Sequence, residues 1–177
     1  MGTGVIDRIV VRRAPGSRHR GWVVAGPLVL PCALGSTGIT HDKREGDGAT
    51  PAGTFRILGA LWRADRGPRP ALALPLSTIG PRDGWCDAPR DRNYNRPVRL
   101  PYPASAEEMR RADGLYDYVL DLSANRGPIR KGRGSAIFLH VAKPGFSATQ
   151  GCVALEKAAL RRLLPLIGRR TRVVVIG

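Results

Sequence analysis

Apolar residues come in short runs along most of this chain, separated by polar, glycine-rich or proline-rich stretches, and short runs of this kind predict strands. "RIVVRR" (8–13) is a β-rich run. "GWVVAGPLVLPCALG" (21–35) is two apolar runs around Gly26-Pro27, which suits a hairpin. "STGITHDKREGDGATPAG" (36–53) is a polar loop, and "TFRILGALWR" (54–63) is a strand. Residues 64–104 are rich in Pro, Gly and Arg, with one short apolar run at 71–76, and predict a long irregular excursion. "SAEE" has the form of a capping box, with Ser105 as N-cap and Glu108 at N3, and predicts a short helix ending near Gly114. In "YDYVLDLS" (116–123), Tyr116, Tyr118, Leu120 and Leu122 alternate with Asp117, Asp121 and Ser123, the pattern of a half-buried strand. "NRGPIRKGRG" (125–134) is a basic loop and "SAIFLHV" (135–141) a buried strand. Leu160, Leu163, Leu164 and Ile167 fall at helical spacing, with Gly168 placed to end the helix and Pro165 placed to tighten its last turn. "TRVVVIG" (171–177) is a final strand. The sum is a β-rich single domain over 1–177 with two modest helices.

Length agrees, since 177 residues fit one domain with a real core. No apolar run approaches the roughly 20 residues of a membrane span. The 21–35 stretch follows an Arg-rich segment and so mimics a signal peptide, but Pro27, Pro31 and its distance from Met1 favour the hairpin. Pro31 before Cys32 also does not suit a lipoprotein cleavage site. On that reading the sequence carries no recognisable export signal.

Charge changes the picture more. The net charge is +15, with 25 Arg against 4 Lys. Such an excess suits an anionic partner: nucleic acid, an anionic surface or an acidic polymer such as cell wall. The charges are spread along the whole chain, which also fits solubility alone.

Three cysteines cannot all pair within one chain. A Cys32–Cys86 bond would leave Cys152 free. No two Cys or His sit at structural zinc spacing, so no metal is expected. The candidate chemistry lies in "HVAKPGFSATQGCVAL" (140–155). His140 stands at the end of a strand. Cys152 follows Gly151 and precedes what reads as a helix starting around 153–156. A thiol attacks as thiolate, and a nearby base or a helix N-terminus favours that form. On this reading Cys152 is an exposed, low-pKa nucleophile and His140 its base. Backbone N–H groups of Gly151, Cys152 and the first helical turn would receive the oxyanion.

The stretch "SAIFLHV…TQGCVAL" resembles the signature of the L,D-transpeptidase (YkuD-fold) catalytic domain, a strand-borne His followed by Ser/Thr-x-Gly-Cys. "GDGATPAGTFRI" resembles that family's "TPxGxF" region, and "RVVVIG" its closing strand. "NYNRPV" and "YDYVLDLSAN" resemble a proteobacterial branch. The chain departs from the pattern at Gln150, where His is usual, at Ala154, where Asn is frequent, and in a shorter His-to-Cys loop. The resemblance implies a mainly β, β-sandwich-like fold. It also implies a cysteine-dependent acyltransferase that joins peptidoglycan stem peptides, donor and acceptor, through a thioester. No cofactor is implied, and the setting is periplasmic or cell-envelope. His140 would be oriented by a backbone carbonyl, and Thr149 matches the motif's Ser/Thr. Tyr94, Asn95, Arg96, Tyr116 and Arg133 are the expected substrate contacts, an Arg being able to hold a carboxylate in a bidentate pair.

His41 reads as a solvated loop residue, and Trp22, Trp62 and Trp85 as core or loop anchors rather than sugar platforms. Two rival functions remain open on sequence. A thiol hydrolase on the same fold differs only in its acyl acceptor. A nucleic-acid binder is favoured by "RNYNRPVR" and "RGPIRKGRGS", but no helix-turn-helix, zinc finger or aromatic RNA-binding motif accompanies them. Oligomeric state is not legible.

Overall fold

The structure, a computed structural model, describes residues 4–177. Its strands are β1 (Ile6–Arg13), β2 (Arg20–Ala25), β3 (Leu28–Ala33), β4 (Ile39–Thr40), β5 (Thr50–Pro51), β6 (Gly53–Trp62) and β7 (Leu76–Thr78). They continue as β8 (Asp83–Cys86), β9 (Arg96–Arg99), β10 (Ala106–Glu108), β11 (Tyr118–Leu122), β12 (Phe138–Val141) and β13 (Val153–Leu155). Among the described residues the single α-helix, α1 (Lys157–Leu163), runs into a 3₁₀ turn (Leu164–Leu166), and β14 (Ile167–Ile176) closes the fold.

The main sheet has the order β11-β12-β13-β3-β2-β1-β14-β6-β7, and β11 also pairs with β6. That extra pairing closes eight strands into a ring. Strand alternation then gives the ring an inside and an outside. The inside holds Ile9 and Val11 of β1, Val23 of β2, Leu120 of β11, Leu139 of β12, Val153 and Leu155 of β13, and Val173 of β14, each essentially buried. Leu160 and Leu163 of α1 join this core. This is the mainly β, sandwich-like arrangement that the sequence implied.

A second, smaller apolar cluster lies outside the ring. Val119 and Phe138, with Cys152 beside them, meet Trp85 and Met109. Trp85 belongs to a three-stranded sheet, β10-β8-β9, in which β8 and β9 come from the irregular excursion and β10 from the segment after it. This small sheet covers the outer face of β11 and β12 and makes one wall of the site.

Two expected helices are corrected. "SAEE" forms edge strand β10, with Ala106, Glu107 and Glu108 paired to Cys86, Trp85 and Gly84. The exposed edge of β8 offers the segment a hydrogen-bonded ladder, which outweighs a four-residue capping pattern with no long apolar face behind it. Residues 153–155, expected to open a helix, are instead inserted as β13 between β12 and β3. Val153 and Leu155 are fully buried in the ring. The helix begins only at Lys157, and Pro165 falls in the 3₁₀ turn that ends it. Ile167 and Gly168 therefore start β14 rather than end the helix.

Candidate active site

Parallel strands β12 and β13 pair Leu139 with Val153 and His140 with Ala154. One step back in that register, Cys152 stands beside Phe138, whose backbone N–H donates to Sγ at 3.3 Å. Phe138, His140, Cys152 and Ala154 thus share the outer face of the ring, with His140 and Cys152 as diagonal neighbours. Both line one cavity of about 430 Å³.

The loop between them is short and tethered. The Thr149 N–H donates to Leu34 O (2.9 Å), and the Ser36 N–H donates to Thr149 O (3.1 Å). The Thr149 hydroxyl donates to Cys152 O (2.7 Å) and accepts the Gly151 N–H (3.1 Å). Gly151 has φ +132°, and a Cβ there would stand 2.7 Å from Ala49 O. The site needs a residue without a side chain at this position.

The thiol is held by backbone on two sides. Sγ donates to Ala136 O (3.1 Å) while accepting from Phe138. Ala136 has φ +50°, a left-handed conformation that costs a non-glycine residue on the order of 1 kcal/mol. Its N–H is fixed by Asn95 Oδ1 at 3.1 Å. Nδ1 of His140 lies 2.8 Å from Val141 O. A carbonyl only accepts, so Nδ1 carries the proton and Nε2 keeps its lone pair.

Burial sets the protonation states. It pushes the Cys152 thiol up to about 12, and the Glu107 carboxylate adds to this. It pushes the His140 imidazole down to about 4. At neutral pH the resting pair is therefore a thiol and a neutral imidazole. The exposed, low-pKa Cys152 expected from sequence is overturned: the residue is only 7% exposed, and the helix N-terminus that would have favoured a thiolate is a strand.

Tyr116 stands edge-on to the His140 ring, centroids 5.2 Å apart, and edge-on to Phe138 at 5.9 Å. Its hydroxyl donates to Glu107 at 2.6 Å, and Arg111 lies over its ring. Arg111 in turn pairs with Asp113 and sits 3.7 Å from Glu107. Burial raises the Glu107 carboxyl above its ordinary value, against the Tyr116 hydrogen bond.

Of the residues expected to contact substrate, Tyr116 and Thr149 line the cavity together with His140 and Cys152. Tyr94 is buried behind it and donates its hydroxyl to Glu45, which does line it. Asn95 is 1% exposed. It accepts from Trp85 Nε1 and the Ala136 N–H and donates to the Ala124 and Asn125 carbonyls, so it reaches the site only through Ala136. Arg96 is an exposed residue of β9, and Arg133 pairs with Asp42 at 2.7 Å; neither lines the cavity. The ionic residues that do line it, Glu45, Asp87, Glu107, Arg111 and Lys143, were missed. Glu107 was hidden inside the supposed capping box, and the others stand in segments with no periodicity to mark them. All three cysteines are free, Cys32 in the ring core and Cys86 in the small sheet. Among the described residues, no group of three or more His, Cys, Asp or Glu is arranged to hold a metal ion, and no helix is long and apolar enough to cross a membrane.

A family profile described as "L,D-transpeptidase catalytic domain" (YkuD) matches residues 8–175. Comparison with curated proteins gives no match. Among solved structures, the chain is similar to an L,D-transpeptidase from Mycobacterium tuberculosis H37Rv, at 12% identity and TM-score 0.43, covering 96% of this chain and 57% of that one. It is similar to an avibactam carbamoyl enzyme named Ldtfm at 13% identity and TM-score 0.43, covering 100% and 50%. L,D-transpeptidase 3 from Mycobacterium tuberculosis is similar at 13% identity and TM-score 0.42, covering 96% and 61%. The chain thus spans between half and three fifths of the length of these proteins.

Proposed function

Because the chain belongs to the L,D-transpeptidase catalytic domain family, we propose that it cross-links peptidoglycan stem peptides through a thioester on Cys152. One observation carries this reading: His140 and Cys152 are fixed on the same face of two adjacent parallel strands and open into the same cavity.

As the donor carbonyl approaches Sγ, Nε2 of His140 takes the thiol proton while the S–C bond forms. The thiol and imidazole are both neutral at rest, so charge develops only along the reaction coordinate. A carbonyl carbon bonded to Sγ lies close to the Cys152 N–H, the donor we assign to the oxyanion. Breaking the C–N bond expels the downstream residue of the donor stem as an amine, which takes the proton from His140. A side-chain amine of a neighbouring stem then attacks the thioester and gives a proton to Nε2. The C–S bond breaks, and the sulfur recovers its proton from the imidazole. One amide is exchanged for another, so no external energy source is needed. Such a substrate places the work in the cell envelope, and the +15 charge favours retention on an anionic wall.

The test is formation of cross-linked dimers from purified disaccharide-tetrapeptide, followed by liquid chromatography and mass spectrometry. The wild type should show a thioester adduct on Cys152 and dimers. Cys152→Ala should show neither, and His140→Ala should lose roughly 10²–10⁴-fold in rate. Dimers formed by Cys152→Ala at the wild-type rate would sink the mechanism. Release of the terminal residue without dimers would make the protein a thiol hydrolase.

A further inference from the structure

The outer face of the ring on the side away from the site has an unusual composition. Around the ring, β1 is separated from β12 by three strands in either direction, so it lies opposite the catalytic strand. The registers define which side chains share this face. Arg8 pairs with Arg172, and Arg172 pairs with Arg56, so three arginines stand side by side on β1, β14 and β6. Arg12 pairs with Trp22, and Trp22 with Pro31. Val10 pairs with Val24, and Val24 with Val29. Trp22 is 43% exposed and Val29 60% exposed, so Trp22 is not the core or loop anchor expected from sequence. No Asp or Glu belongs to these paired positions. Among the described residues, Arg8, Arg12, Arg56 and Arg172 take part in no ion pair, and Arg172 Nη1 donates to the carbonyls of Arg169, Arg170 and Thr171, which leaves its other nitrogens to a ligand.

Like charges directly opposite on neighbouring strands are unfavourable. Strands about 4.8 Å apart root these side chains well within a Debye length of one another, so salt screens their repulsion only in part. A bound anion would relieve the repulsion within the row Arg8–Arg172–Arg56. A second copy of the chain does not fit, because a two-fold contact would set arginine against arginine. A lipid surface fits poorly: the apolar floor is made of short Val and Pro side chains, and the longer arginines would reach the headgroups first. A chain bearing carboxylates along its length fits better. Guanidinium groups grip carboxylates in bidentate pairs, and the exposed indole beside Pro31 gives a flat apolar shelf for a sugar ring.

We propose that the Arg8–Arg172–Arg56 row and the Trp22–Pro31 shelf form a second binding face for a carboxylate-bearing glycan strand, holding the protein on its polymer while the opposite side carries out the chemistry. The choice of this occupant rests on the function proposed above.

The test measures co-sedimentation with purified peptidoglycan sacculi, with soluble disaccharide-tetrapeptide present to fill the cavity. Phosphatidylglycerol vesicles serve as a parallel probe. Arg8→Gln/Arg56→Gln should weaken binding to sacculi about tenfold, and salt should weaken wild-type binding in the same sense. Trp22→Ala should weaken binding independently. Both variants should keep wild-type turnover of the soluble substrate, and the double variant should melt no lower than the wild type because the like-charge row is relieved. Unchanged binding to sacculi in both variants overturns the proposal, as does a loss confined to the vesicles. If the wild type binds sacculi through this face but never turns over the soluble substrate, the face stands and the transpeptidase reading falls.

Discussion

Raising pH in the presence of iodoacetamide should expose the protonation state of Cys152 directly. Only the thiolate reacts. With the thiol pushed up to about 12 from an ordinary value of 9.0, the thiolate fraction at neutral pH is about 10³-fold below that of an unperturbed cysteine. Its labelling should therefore be about 10³-fold slower than that of a small free thiol, even before access is considered. The rate should climb about tenfold for each pH unit, with no plateau up to pH 10. Cys32 is also pushed up to about 12, by burial in the ring core. It is 1% exposed and does not line the cavity, so it should stay unlabelled in the folded protein. The assay is peptide mass spectrometry of time points taken across pH 6–10, on protein shown to be folded at each pH. Labelling of Cys152 that is fast and independent of pH between 6 and 9 would refute the reasoning. It would mean that a thiolate–imidazolium pair exists at rest.

His140 should make stability depend on pH. Its folded value, about 4, lies below the ordinary 6.5, so the unfolded chain binds the proton more readily. This contribution is complete above about pH 6.5 and is lost as pH falls toward 4, by about 3 kcal/mol in full. Urea titrations across that window should show the loss in the wild type and its absence in His140→Gln; parallel profiles would contradict the assignment. Tyr116→Phe leaves Glu107 without its 2.6 Å donor and should cost about 1–3 kcal/mol in chemical denaturation. A silent substitution there would show that the pair does not hold the wall. Gly151→Ala places a Cβ 2.7 Å from Ala49 O at φ +132°. It should destabilise by about 1–3 kcal/mol and lower kcat more than it raises KM, whereas a variant with wild-type kcat and midpoint would argue against a tightly fixed turn.

Much of the ring was legible because its strands alternate or run apolar, and the core fixes which residues face inward. "RIVVRR", "FRILGALW", "YVLDL" and "FLHV" all became strands. The strand-borne His140 and the Gly151-Cys152 pair beyond a short loop were legible in the local sequence and its family resemblance, and the two side chains do share one face and one cavity. What failed were short segments whose state is decided by a neighbour. "SAEE" became a strand because β8 had a vacant edge, and "VAL" became a strand because a slot existed between β12 and β3. Neither edge nor slot is visible in a local window. The second error carried into the chemistry. A helix N-terminus and an exposed thiolate were inferred together, and both disappeared when residues 153–155 entered the sheet. Asn95 was noticed for the right segment and the wrong reason, because its partners are a backbone turn and an indole rather than substrate.

The parallel pairing of β1 with β14 also has a consequence in time. Residues 6–12 find their partners at 167–176, almost the whole described chain away. Contacts between such distant residues are slow to form. A ribosome delivers the segment holding Cys152 before it delivers β14, so during synthesis the ring still lacks the strand that lies between β1 and β6. Val173 and Val175 of β14 belong to the ring core, so that core is completed last. Until β14 docks, β12 and β13, which carry His140 and lead in from Cys152, belong to an open sheet rather than a closed ring.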